Sequence, residues 1–141
     1  MRILKCLLVV SIILIACKDN TINTFIEKEF TIRTLVNADD GGSYTGTHVF
    51  KNDLEYENFY GQVTNGFLFG NEMIVVAYKG RQSVGGHRYE IVQVLEKENE
   101  IEVHIEFEAC KISCPTEVTN PYHMIATDFS SKKVIFRETE F

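Results

Sequence analysis

"IEVHIEFE", residues 101–108, alternates with a period of two along its whole length. Ile101, Val103, Ile105 and Phe107 fall in one phase, and Glu102, His104, Glu106 and Glu108 in the other. Successive side chains of a strand leave opposite faces, so this pattern predicts a strand with its apolar row in a core and its acidic row in water. An acidic row can also hold a cation, but a solvated face is the simpler reading, with His104 as one more polar residue. Upstream, "KENE" (97–100) turns the chain. "HRYEIVQVL" (87–95) puts Tyr89 and Ile91 in one phase and Val92 and Val94 in the other. That strand is either covered on both faces or bulged near Val92. "NEMIVVAYKG" (71–80) is dense enough for a buried strand. "EFTIRTLV" (29–36) sets Phe30, Ile32 and Val36 against Thr31, Arg33 and Leu35, another strand. "NPYHMIATDF" (120–129) and "KKVIFRETEF" (132–141) read as two more, joined by a Ser-Ser-Lys-Lys turn. Pro121 removes a ladder donor and belongs at a strand start or edge.

One segment departs from this pattern. "FKNDLEYENFYGQV" (50–63) predicts a helix, capped by Asn52 or Asp53 with Glu55 in its first turn. Leu54, Phe59 and Val63 form its apolar face, Tyr56 and Tyr60 an aromatic flank, and Gly61 weakens its last turn. The fold class is therefore mainly β (α+β). An antiparallel sheet, as a sandwich or partly open barrel, carries one short helix near its N-terminal side.

The start of the chain gives an address. Arg2 and Lys5 precede an apolar run, Cys6 to Ala16, broken only by Ser11. Eleven helical residues span about 16 Å, roughly half a bilayer core, so the run is a signal peptide rather than a membrane span. Leu14-Ile15-Ala16-Cys17 resembles the lipobox of bacterial lipoproteins. The resemblance implies cleavage after Ala16 and acyl chains on Cys17. Each buried CH₂ adds about 0.8 kcal/mol, so two or more chains hold where one does not. Lys18 after the cysteine implies the outer membrane of a two-membrane bacterium, facing the periplasm or the surface. The domain plan is a signal peptide over 1–16, a polar tether over 17–28 and a single β-rich domain over 29–141.

Loss of residues 1–16 removes two of fourteen basic residues and none of twenty acidic ones; twelve against twenty leaves a net charge of −8. Such a surface repels phosphate backbones, which argues against nucleic acid as a partner. Two cysteines remain for the folded domain, Cys110 and Cys114, spaced C-K-I-S-C. Outside the cytoplasm this reads as a disulfide rather than free thiols or a metal pair, since no histidine falls at a zinc-ligand spacing. A loop so small gains about 2 kcal/mol from closure.

Catalytic motifs are missing: there is no Gly-x-Ser-x-Gly elbow, His-Glu-x-x-His or phosphate-cradling glycine loop. Asp39 and Asp40 in "NADDGGSYTG" (37–46) fall well short of a calcium cage. We expect no enzyme, cofactor or metal. "GRQSVGGHRYEI" (80–91) stands out instead. Gly85-Gly86 suits a hairpin turn, while Arg81, Ser83 and His87 surround it with donors and glycine lets a partner backbone come close.

"YKGRQSVGGHRYEI", "IEVHIEFE", "NPYHMIATDF" and "KKVIFRE" resemble, in that order, the C-terminal domain of the PrcB family, lipoprotein subunits of a bacterial surface protease complex. The likeness spans Asn71 to Arg137. His87 stands where the family has an aromatic residue, Val84 intrudes before the glycines, and Cys110 and Cys114 replace a loop. The resemblance implies a non-catalytic accessory that positions or stabilises a protease. The expected contact residues are Arg81, Ser83, Gly85, Gly86 and His87, with Pro121, Tyr122 and His123; Tyr122 serves as an aromatic anchor or as core. Two other functions fit a lipid-anchored domain: binding of a small ligand or envelope polymer in a cleft between helix and sheet, and protease inhibition through the glycine turn.

Overall fold

In the computed structural model, residues 25–61 and 69–141 are described; the expected lipidation site Cys17, the signal segment, the tether up to residue 24 and Val63 lie outside them. Two four-stranded sheets face each other. The strands are β1 (Lys28–Glu29), β2 (Ile32–Ala38), β3 (Gly46–Phe50), β4 (Glu72–Tyr78), β5 (Arg88–Glu96), β6 (Glu100–Glu108), β7 (Tyr122–Asp128) and β8 (Lys133–Glu140), with helix α1 (Asp53–Tyr60) between β3 and β4. One sheet has the order β1-β5-β6-β8, the other β2-β7-β4-β3. The expected β-rich fold is a sandwich and not a barrel.

The alternation at 101–108 behaves as its sequence demands. Ile101, Val103, Ile105 and Phe107 are buried between the sheets with Tyr89, Ile91 and Val94 of β5 and with Met73, Val75, Ala77 and Ile125 of the opposite sheet. Each fully buried aliphatic side chain of this kind contributes about 1.5–3 kcal/mol. The register of β5 slips between Ile91 and Gln93, leaving Val92 38% exposed, so the bulged reading holds. β4 is covered on both faces: Ile74, Val76 and Tyr78 point away from the inter-sheet core into a second apolar cluster with Phe50 and Met124.

Helix α1 covers that second cluster with Phe59 of the expected face and with the aromatic flank, but not with Leu54. Leu54 is 65% exposed, whereas Tyr56, Phe59 and Tyr60 pack on the cluster. Tyr44 of the β2–β3 loop and Phe50 of β3 offer these rings edge and face partners, with Tyr44–Phe59 centroids at 5.0 Å and Phe50–Tyr56 at 5.3 Å. Asn52 is the N-cap, accepting from Glu55 N at 2.9 Å, and Glu55 reaches back to Lys51 N at 2.7 Å. Gly61 closes the helix in the left-handed region, where its φ of 68° carries no Cβ penalty. Eight residues are too few for an independent helix. Asn52→Ala should therefore cost about 1 kcal/mol in chemical denaturation.

Three expectations change. "EFTIRTLV" is not one sheet strand: Lys28 and Glu29 pair with β5, the chain crosses at Phe30, and Ile32 onward pairs with β7. A register shift between Thr34 and Val36 then turns Leu35 and Val36 together onto the second cluster. β7 and β8 do not form a hairpin, because residues 129–132 carry the chain from one sheet to the other. Two crossings, one between β6 and β7 and one between β7 and β8, restore the original direction, so β8 lies parallel to β6 with Ile101 opposite Val134. Finally, the row of acids is not simply solvated. Glu102 is 7% exposed and accepts from Lys97 at 2.7 Å and from Arg137 at 3.2 Å. The Lys97 hydrogen bond, ahead of that from Arg137, lowers its carboxyl to about 2.

Candidate functional site

The register places three loops at one end of the sandwich: 39–45 between β2 and β3, 79–87 between β4 and β5, and 109–121 between β6 and β7. Chain entry is at the opposite end, where Lys28 pairs with Glu96 and the Lys132 ammonium sits 4.7 Å from the Phe25 ring centre. The third loop lies between the other two and fastens both. Gly41 N donates to Asn120 O at 2.8 Å and Asn120 N to Asp39 O at 2.8 Å. Gln82 and Thr119 exchange backbone bonds of 2.7 and 3.1 Å, and Gly85 N donates to Pro115 O at 2.9 Å. The Asn120 amide adds bonds to Gly42 O and Tyr44 O at 3.1 and 2.8 Å.

This lattice sorts the expected site residues. Arg81 and Ser83 are exposed. Gly85 is not a hairpin residue open to a partner, because β4 and β5 belong to different sheets and the loop crosses between them. A Cβ on Gly85 would meet Glu117, Pro115 and Thr119 at 3.3 Å each, and one on Gly86 would meet Pro115 at 3.0 Å. The glycines admit the chain's own third loop. His87 is half-buried, its Nδ1 accepting from Cys110 N at 3.1 Å and its ring 5.3 Å from that of Phe107. Pro121 is buried at a strand start, as its missing donor requires, and accepts from Lys79 N at 2.9 Å. Tyr122 is half-buried and stacks on Tyr78 at 5.1 Å.

His123 is interior as well, 3% exposed. Its Nδ1 accepts from Ile91 N at 2.8 Å, and its Nε2 lies 3.1 Å from the Thr34 hydroxyl. It thus joins the two sheets at the β5 bulge, where the ladder slips and Ile91 N turns to the ring instead. Accepting at Nδ1 requires the neutral ring with its proton on Nε2, which donates to Thr34. Burial lowers the His123 pKa, against a smaller opposing pull from Glu90.

Cys110 and Cys114 are bonded, S–S 2.12 Å. The turn that they close displays Ile112 at 86% exposure. Val118, also in the third loop, is 55% exposed and borders a depression of about 390 Å³ with Arg81, Asp40 and Asn120. Sequence reasoning passed over Ile112 and Val118. For Ile112 a signal existed: an isoleucine within a five-residue disulfide turn has no strand to bury it.

A second hollow opens beside the first. About 400 Å³ in volume, it is lined by Tyr44, Tyr56, Tyr60, Tyr78 and Tyr122, with Val36 and Met124 beneath and Asp40, Gly41 and Gly42 at the rim. Tyr60 and Tyr78 share a hydroxyl–hydroxyl bond of 2.5 Å. Burial raises the pKa of both, so both stay protonated. No family model, curated protein or solved structure matches this chain.

Proposed function

We infer that the chain is a lipid-anchored, non-catalytic module of the cell envelope that holds a protein partner at its three-loop end. The observation that carries this reading is the exposure of Ile112. A large apolar side chain lies open to solvent on a cross-linked turn of the third loop; the same loop carries exposed Val118, which borders a depression with Arg81, and backbone bonds fix it to its neighbours. A preorganised loop end that shows apolar side chains and a bidentate donor has the composition of an interface centre. Acyl chains on Cys17 enter the same reading: the described chain begins at the far end of the sandwich, so an anchor there leaves the loops facing away from the membrane. In the terms of the PrcB resemblance the partner is a protease, and the outer membrane of a two-membrane bacterium is the place.

The test is capture from detergent-solubilised envelope by the lipidated chain, wild type against the Arg81→Ala, Ile112→Ser double variant. Peptidase activity retained by wild type and lost with the double variant is the expected result. Equal recovery by both sinks the interface, and an unmodified thiol at Cys17 by mass spectrometry sinks the anchor. If added chain suppresses the captured peptidase, the contact is inhibitory rather than accessory.

A further inference from the structure

We propose that the tyrosine-lined hollow beneath α1 is a saccharide-binding site, separate from the Ile112–Arg81 surface. Its size is that of a small-ligand site, and its chemistry is mixed in a particular way. The rings of Tyr44, Tyr56, Tyr60 and Tyr122, set around the buried Tyr78, give apolar faces for the C–H faces of a sugar ring. The hydroxyls of the same residues both donate and accept, which matches a polyol. Asp40 supplies one carboxylate at the rim, an acceptor for paired sugar hydroxyls. An anionic ligand would meet Asp40 with no lysine or arginine among the described lining residues, and a purely apolar ligand would leave the hydroxyls unpaired. An organic cation could also lie on tyrosine faces beside a carboxylate. However, Arg81 already stands on the other side of Asp40, in the neighbouring depression, and weakens that case.

The framework is built to keep the hollow open. Tyr78 is 4% exposed at its base, held by the Tyr60 hydroxyl and stacked under Tyr122. The 40–44 turn that forms one wall is fixed by the Asn120 amide bonds to Gly42 and Tyr44.

The protein carries its own reporter. It contains no tryptophan and six tyrosines, and all but Tyr89 line the hollow, so intrinsic emission reads the site directly. The lipidated chain in detergent should be titrated with trisaccharides of glucose, galactose and N-acetylglucosamine, and with choline. A saturable change in tyrosine emission with at least one trisaccharide is expected. Asp40→Asn and Tyr122→Ala should each weaken it by about tenfold, and Arg81→Ala, Ile112→Ser should not. Asp40→Asn keeps the oxygen that accepts from Gly42 N, so it remains a test if Tyr122→Ala unfolds. Saturation by choline alone, no response to any sugar up to about 10 mM, or unchanged affinity in Asp40→Asn overturns the site. Because the double variant lacks the partner surface and retains this one, failure here is distinguishable from failure of the partner reading.

Discussion

His123→Ala should lower the unfolding free energy by about 3 kcal/mol. The loss has two parts. Ile91 N–H would be left inside the sandwich without its 2.8 Å acceptor, and an unsatisfied interior donor costs about 1–3 kcal/mol. The Thr34 hydroxyl loses its partner too, and a cavity remains where the ring stood. His123→Asn separates hydrogen bonding from shape, since an amide oxygen can take the place of Nδ1. It should recover about 1 kcal/mol of the loss. The same pair fixes a pH dependence. Burial holds the folded-state pKa of His123 below its ordinary 6.5, so the unfolded chain takes up the proton first. Stability is complete above pH 6.5, falls as the pH drops from there to the folded-state pKa, and changes no further below it. Glu102 acts in a separate window: its contribution is complete above pH 4.5 and fades as the pH falls towards 2. Urea melts between pH 4.5 and 7 should show wild type losing stability on acidification relative to His123→Asn, which retains the other three histidines. Parallel curves for the two proteins would refute the assignment.

Gly41→Val should cost about 2–3 kcal/mol and lower Tm by roughly 10 °C. A Cβ at this position would sit 2.7 Å from a Tyr78 ring carbon and 2.9 Å from Asn120 O. Neither can retreat: Tyr78 is stacked under Tyr122, and Asn120 O already accepts from Gly41 N. Gly42 is the internal control. Among the described residues nothing lies within 4 Å of its Cβ position, and its φ of +61° is what favours glycine there. Asparagine tolerates that conformation, so Gly42→Asn should stay within about 0.5 kcal/mol of wild type, while Gly41→Asn should not. A Gly41→Val protein that melts with wild type would mean that the wall of the hollow yields, and the space argument fails.

Much of this architecture was legible before any coordinates. Strict alternation at 101–108, the doubly apolar 73–78 run and the cap at Asn52 each follow from local rules, and each appears in place. What escaped is set by long-range partners. The crossing at Phe30 and the parallel pairing of β8 depend on which sheet a strand joins, and alternation is blind to that. Phe59 packs as its spacing suggests, but Leu54 does not, because Leu54 counts as apolar in any pattern while the aromatic floor that selects Tyr56 and Tyr60 comes from Tyr44, Phe50 and Tyr78, distant in sequence. At the expected contact site the residues divide by topology. Arg81 and Ser83 reach solvent; Gly85, Pro121 and His123 were singled out for unusual chemistry that the interior turns out to use.

The switch of β1 into β2 at Phe30 has a mechanical consequence. A tether pulling at the chain's entry and a load applied across the loops would stretch the domain along its strands. Tension of that kind shears the β2–β7 ladder from Ile32 to Ala38, so its bonds resist together rather than opening one after another. On the proposed reading, with mooring at one pole and a partner at the other, that ladder would brace the domain against the direction of pull.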